Sequence, residues 1–220
     1  MVRALIFDFD GLILDTESSL FEAWREIYRE YGLEIPVDAW AQMLGQSSDP
    51  PEAYDFLEAM IDEELDREDL KERRIMRELD ILQDQSALPG VRELICEAKE
   101  QGLVLAVASS SEHAWVDYHL ERLELMGSFD VVICADDVPA TKPAPDLYIR
   151  ALNDLGLSSQ DAIALEDSEH GVHAAHAAGL VCIAVPNAIT KSASFDQAQI
   201  ILESLDGIGL DDILRRVAAV

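Results

Sequence analysis

The sequence predicts an α/β fold: a doubly wound, mainly parallel, Rossmann-like sheet interrupted by an all-helical cap domain. Three observations predict it. From about residue 88 onward, short apolar runs alternate with amphipathic helical stretches, the pattern of a parallel sheet covered on both faces. A matching apolar run, Ala4-Leu5-Ile6-Phe7, opens the chain far from the others. Between the two, residues 16–82 read as charged helix without a strand-like run, which is too long for a crossover. The expected division is a catalytic core over 1–15 and 83–220, with a cap over 16–82 that forms a lid at the sheet's carboxyl edge.

The elements follow in order. Residues 3–9 are near-continuously apolar and predict a buried parallel strand. From Glu17, Leu20, Phe21, Trp24, Ile27, Tyr28 and Tyr31 recur at helical spacing, and Gly32 stops that helix. Residues 37–81 continue as helix, broken at Asp49-Pro50-Pro51. After Leu88-Pro89-Gly90 come a helix from Val91 to Gln101 and a strand from Leu103 to Ala108. Ser109-Ser110-Ser111 then leads into a helix to about Leu125, with a strand over Val131 to Cys134 behind it. A helix from Pro145 ends before Gly156, and Ala162 to Leu165 is a strand that runs into Glu166-Asp167. A helix from Glu169 to Ala178, a strand from Val181 to Val185, a short strand near Ile200 and a final helix from Asp211 complete the pattern.

Composition narrows the function classes. Hydrophobic residues make up 49% of the 220, enough for a sizeable core. A formal net charge of -28 speaks against nucleic acid or an anionic membrane as partner. It also means that a site for a phosphate must supply its own local cations. Adaptation to high salt is one reading of this acidity, and an ordinary acidic cytosolic protein is the plainer one. No apolar stretch is long enough to span a membrane, and Asp8 and Asp10 interrupt the first apolar run too early for a secretory signal. The widely spaced Cys96, Cys134 and Cys182 read as buried free thiols in a reducing cytoplasm.

The residues with chemistry collect at strand ends. Ligands of doubly wound sheets bind beyond the carboxyl ends of the strands. The first strand delivers Asp8 and Asp10 on one side and Phe9 on the other, by strand alternation. The second delivers Ser109, the loop after the third carries Lys142, and the fourth delivers Glu166 and Asp167. Carboxylates crowded at one edge repel unless a cation sits among them. Oxygen ligands without His or Cys suit Mg²⁺. A carboxylate can attack phosphorus, and a second one two residues on can protonate the leaving oxygen and then activate water. Ser109 before a helix start and the point charge of Lys142 suit a phosphoryl group.

Asp8-Phe9-Asp10-Gly11, Ser109, Lys142-Pro143 and Glu166-Asp167-Ser168 resemble, in order and in strand-end placement, the four motifs of the haloacid dehalogenase-like hydrolases. Asp15-Thr16, the run Lys142-Pro143-Ala144-Pro145-Asp146 and the helical insertion resemble the β-phosphoglucomutase-like phosphatase subgroup. The resemblance implies Asp8 as nucleophile and Asp10 as general acid/base. It implies Mg²⁺ held by the carboxylates of Asp8 and Asp167, the backbone carbonyl of Asp10, and Glu166 directly or through water. Ser109 and Lys142 would hold the phosphoryl group of a small phosphorylated metabolite; Ser110 is a further substrate-side candidate, and a monomer is expected. Arg77 is the cap's candidate for substrate contact, with Arg73 and Arg74 as alternatives. Those arginines could equally be pairing with neighbouring acids on a solvated helix face.

Taken singly, Asp10-Gly11 reads as a turn, and Ser110 or the Glu166-Asp167-Ser168 run as helix capping. His170, His173 and His176 drift around their helix and read as polar surface rather than a zinc site; His113 and His119 read as structural. Two departures matter. Where the sugar-phosphate mutases carry a His after the Asp-Thr pair, this chain has Leu20, and its Gly45-Gln46-Ser47-Ser48-Asp49 segment lacks their Arg. Phosphatase chemistry is therefore expected ahead of a hexose-phosphate mutase. A dehalogenase, needing neither a metal nor an acid at position 10, and a non-catalytic regulatory module stand further behind.

Overall fold

The computed structural model describes residues 2–35, 40 and 51–220. Two compact units emerge, Met1–Leu14 with Ser86–Val220, and Asp15–Gln85.

In the first unit, the described residues form a six-stranded, all-parallel sheet: β1 (Ala4–Phe7), β2 (Val104–Ala108), β3 (Val131–Ile133), β4 (Ala162–Glu166), β5 (Val181–Ala184) and β6 (Ile200–Ile201). Their order is β3-β2-β1-β4-β5-β6. The order reverses between β1 and β4, so the crevice at their carboxyl ends is the switch point where such sheets bind ligands. The register pairs Phe7 with Val107 and with Leu165, which brings the three central strands to their ends at one level.

Strand alternation divides the core. Ala4 and Ile6 of β1 join Leu147, Tyr148, Ala151, Val172 and Ala175 in one buried cluster. These last residues belong to α6 (Asp146–Leu155) and α7 (Glu169–Ala177), numbering the helices in chain order with α1 to α5 and α8 given below. Leu5 and Phe7 leave on the opposite face, the side of α4 (Val91–Glu100) and α5 (His113–Arg122). Every residue of β1 and β4 is buried, as strands covered on both faces require. The final helix, α8 (Leu210–Val217), has no side-chain cap of its own. Glu97 of α4 fills that role, its Oε2 accepting the Leu210 N–H at 2.6 Å.

The first strand is shorter than its apolar run. Pairing ends at Phe7, and only the Asp8 N–H continues the ladder, donating to Leu165 O at 2.9 Å. Beyond it the chain turns: Gly11 takes φ +76°, and the N–H groups of Ile13 and Leu14 fold back onto Phe9 O. Cys134 and Cys182 are buried free thiols, but Cys96 is exposed, because the apolar face of α4 is set by Val91, Leu94, Ile95 and Ala98.

Among its described residues the second unit contains helices joined by turns and no strand. It comprises α1 (Thr16–Glu30), α2 (Pro51–Ile61) and α3 (Arg67–Leu82), with Trp40 fully buried. Asp15 and Asp66 cap α1 and α3 through their side chains. Trp24 and Tyr54 meet edge to face at 4.7 Å, and the Tyr28 hydroxyl donates to Ala53 O at 2.6 Å. Gly45 to Asp49 lie outside the described residues.

Glu97→Ala should remove the cap of α8 and lower stability by about 1 kcal/mol in a urea titration, whereas Glu97→Gln, which keeps an acceptor, should lose less.

Candidate active site

The edge of the sheet concentrates charge in a dry place. Asp8, Ser109, Glu166 and Asp167 are all buried, and Glu166 is fully inaccessible. Lys142, from the loop after β3, enters this group with its Nζ 2.7 Å from Asp8 Oδ1 and 2.6 Å from Glu166 Oε1. Its ammonium lies over the Tyr148 ring, 5.3 Å from the centroid. Burial opposes the lysine's charge, but Asp8 and Glu166 outweigh it and hold Lys142 firmly protonated. Burial and then the charge of Glu166 push the Asp8 carboxyl well up, with Lys142 pulling the other way.

Glu166 has no spare oxygen. Oε1 takes the Tyr148 hydroxyl at 2.5 Å in addition to Lys142, and Oε2 accepts from the Asp167 N–H and the Ser168 hydroxyl. Gly171, on α7, is what lets this carboxylate sit there, since a Cβ at that position would fall 1.9 Å from Glu166 Cδ. Asp8 also spends Oδ1 twice, on Lys142 and on the Phe9 N–H at 2.7 Å, which leaves Oδ2 as the oxygen these bonds do not engage. Asp167 is steadied from β5's far end: Asn187 Nδ2 donates to Asp167 Oδ2 at 2.7 Å. Gly11 closes the same spot, because a Cβ there would meet Asp167 Oδ2 at 2.2 Å.

Asp10 faces a different set of donors. Its Oδ2 accepts from Ser111 Oγ at 2.7 Å and Ser109 Oγ at 3.1 Å, and its Oδ1 from the Trp115 indole N–H at 3.0 Å. His119 supports Trp115 edge to face at 4.4 Å, and burial together with Arg122 lowers this histidine to about 4, so it is neutral packing.

Of the sequence-predicted residues, Asp8, Lys142, Glu166 and Asp167 meet in one cluster, with Asp10 and Ser109 joined to each other beside it. Ser110 is exposed and Ser111 takes the place at Asp10. Arg77 lies in the helical unit, bonded to Glu30 and, at 3.5 Å, to Glu26 of α1. Sequence reasoning missed Ser111, Trp115, Tyr148 and Asn187. Ser111 was visible as the third of three serines; the others carry no local signal, because their partners lie 18 to 105 positions away in the chain.

The carboxylates fit a hard divalent cation. Oxygens of Asp8, Glu166 and Asp167 lie within 4.8 Å of one another. One ammonium cannot balance three buried carboxylates, and the donors are oxygen alone, which is the chemistry Mg²⁺ takes.

A family model for the haloacid dehalogenase-like hydrolases matches residues 5–185. The chain belongs to that family. YhcW of Bacillus subtilis, whose name gives it provisionally as a phosphatase, is 40% identical over 205 residues, covering 93% of each chain. Hexitol phosphatase B of Escherichia coli is 31% identical over 227 residues, covering 97% of each. A crystal structure of a CbbY mutant from Rhodobacter sphaeroides in complex with xylulose-(1,5)bisphosphate superposes with a TM-score of 0.76 at 28% identity, over 96% of this chain and 99% of that one.

Lys142→Met should cost about 3–5 kcal/mol near pH 7, because it strands buried carboxylates without their cation. The Asp8 carboxyl is already raised in the folded state, and losing the lysine raises it further. A raised carboxyl favours the fold below its unfolded value and opposes it as pH rises. The deficit in urea titrations should therefore narrow as pH is lowered toward about 4.

Proposed function

We propose that this hydrolase is a Mg²⁺-dependent phosphatase that cleaves a small phosphate ester, a sugar phosphate or similar metabolite, through an aspartyl-phosphate on Asp8. The observation that carries the reading is the buried Lys142 ammonium set against Asp8 at 2.7 Å, with Asp10 held two residues on. The names of relatives such as hexitol phosphatase B support the substrate class.

In this reading Asp8 Oδ2 attacks phosphorus as the bond to the ester oxygen breaks. Asp10, in its acid form, gives its proton to the departing oxygen. The resulting carboxylate then takes a proton from water, and the water oxygen displaces Asp8 to release inorganic phosphate. Lys142 and Ser109 hold the phosphoryl oxygens, and Ser110 serves the substrate side. Glu166 anchors Lys142 through Oε1, where Tyr148 also donates. Asp8, Asp167 and the Asp10 carbonyl, with Glu166 directly or through water, would hold Mg²⁺, which would supply charge neutralisation for the phosphoryl group. Asp10 acts only after giving up one of its bonds to Ser111, Ser109 or Trp115. The helical unit is the cap of this reading, and Arg77, paired with Glu30 and Glu26 of α1, is its basic candidate for substrate contact. The protein works as a cytoplasmic monomer; no helix among the described residues is long and apolar enough to cross a membrane.

A solved neighbour from Thermotoga maritima, 28% identical and provisionally named a β-phosphoglucomutase, makes mutase chemistry the rival. Leu20 speaks against it: buried in α1, it has no side-chain hydrogen-bonding atom with which to restrain Asp10.

The deciding assay supplies Mg²⁺ with a panel of sugar phosphates, and separately β-glucose 1-phosphate with catalytic glucose 1,6-bisphosphate. Inorganic phosphate should form, stop with a chelator, and fall at least ~10³-fold in a folded Asp8→Asn variant. Glucose 6-phosphate accumulating much faster than phosphate would establish the mutase instead.

A further inference from the structure

A second group of donors lies on the other side of the Ser109–Ser111 loop. His113, at the start of α5, and Cys134 and Asp136, at the end of β3, each offer a ligand atom, all within 4.8 Å of one another. Asp137 is part of the same turn, its Oδ2 2.8 Å from His113 Nε2. On the other side of the ring, both Asp117 oxygens lie 3.2 Å from His113 Nδ1. The phosphate chemistry does not use this group; locally, Asp137 Oδ2 accepts the Cys134 N–H at 2.9 Å.

We infer that His113, Cys134, Asp136 and Asp137 form a binding site for a thiophilic divalent cation of the Zn²⁺ type, separate from the Mg²⁺ centre. Three features support the choice of ion. The donor set mixes thiol, imidazole and carboxylate, which suits Zn²⁺ and is foreign to Mg²⁺ sites. A tetrahedral ion with bonds of about 2.0–2.3 Å holds its ligands about 3.3–3.8 Å apart, so a small inward rotation of these side chains completes the shell. The pairing of Asp117 with Nδ1 is the carboxylate–histidine arrangement that orients a ligating imidazole and turns Nε2 toward the ion.

Charge points the same way. Asp117 and Asp137 flank the His113 imidazole and Asp136 accepts its backbone N–H, with Arg150 as the neighbouring cation on Asp137, in a chain of net charge -28. On binding, the ion takes the place of the Nε2 proton between His113 and Asp137, and displaces the Cys134 thiol proton. Burial and then the charges of Asp117, Asp136, Asp137 and Asp10 push that thiol up to about 12, so without an ion it is inert rather than a reactive nucleophile. Asp136 is exposed and His113 half-buried, which leaves a route in from solvent.

Occupancy would bear on the active site through the backbone. Ser111 O already accepts the Ala135 N–H at 2.9 Å, and the His113 N–H donates to Asp136 Oδ1 at 3.2 Å. The ion staples together the same two segments, the loop that presents Ser109 and Ser111 to Asp10 and the turn after β3.

The test uses cobalt as a visible substitute on the chelator-stripped, reduced full chain. Co²⁺ should raise a thiolate-to-metal charge-transfer band that saturates at one equivalent and is abolished by added Zn²⁺. The band should persist in Asp8→Asn and Cys96→Ser, disappear in Cys134→Ser, and need at least ~10-fold more Co²⁺ in His113→Gln. Absence of the band in the parent chain, or its survival in Cys134→Ser, would overturn the site. Should Cys134→Ser fail to fold, His113→Gln and Asp136→Asn carry the test, and unchanged Co²⁺ affinity in both would overturn it. The band needs sulfur, so the oxygen-only Asp8 centre cannot mimic it, and the outcome does not depend on the phosphatase reading.

Discussion

A protonated lysine in a dry pocket of acids is the constraint around which this site is built. Lys142 sits between Asp8 and Glu166 at 2.7 and 2.6 Å, and all three side chains are almost wholly withdrawn from water. Buried charges of this kind persist only when their remaining donors and acceptors are satisfied. That requirement explains the outer shell: Tyr148 and Ser168 complete Glu166, Asn187 steadies Asp167, and Gly11 and Gly171 leave room where any side chain would collide with a carboxylate. The arrangement stays one cation short of neutrality, which is the electrostatic case for a divalent ion.

The sheet makes such a concentration possible. Strand order β3-β2-β1-β4-β5-β6 sets β1 beside β4, so the acids of two strands whose paired residues lie 158 positions apart in the chain end at one crevice. The final N–H of this pairing, from Asp8 to Leu165 O, fixes the Asp8 backbone immediately before the chain turns away. A loop would deliver the same side chain with less precision. Asp10, within the turn, is held instead by hydroxyls and an indole, bonds that can be exchanged singly. The division suits a rigid nucleophile and a more adjustable proton carrier.

The fold was legible because its signals are local. Apolar runs, helical periodicity and the Gly stops at 32, 102 and 156 need no partner to be read. The helical insertion showed itself by the absence of strands. The four charged motifs were legible for a different reason: each directly follows a strand, where the fold class alone says that ligands bind. Trp115, Tyr148 and Asn187 were not legible, because indole, phenol and amide groups are ordinary in helices and loops until a distant carboxylate gives them a role. Cys96 misled, since an apolar segment says nothing of which helix face a given residue occupies. Arg77 shows the same limit from the other side: periodicity found the helix, but only the structure revealed its acidic neighbours on α1.

The central claim is that Asp8 becomes covalently phosphorylated. It is tested most directly by quenching the enzyme during turnover, reducing any acyl phosphate with borohydride, and sequencing the resulting peptides by mass spectrometry. The account predicts homoserine in place of aspartate at position 8 alone, and only when a phosphate ester is present. Phosphate release at full rate with position 8 unmodified, or the label at another carboxylate, would contradict it.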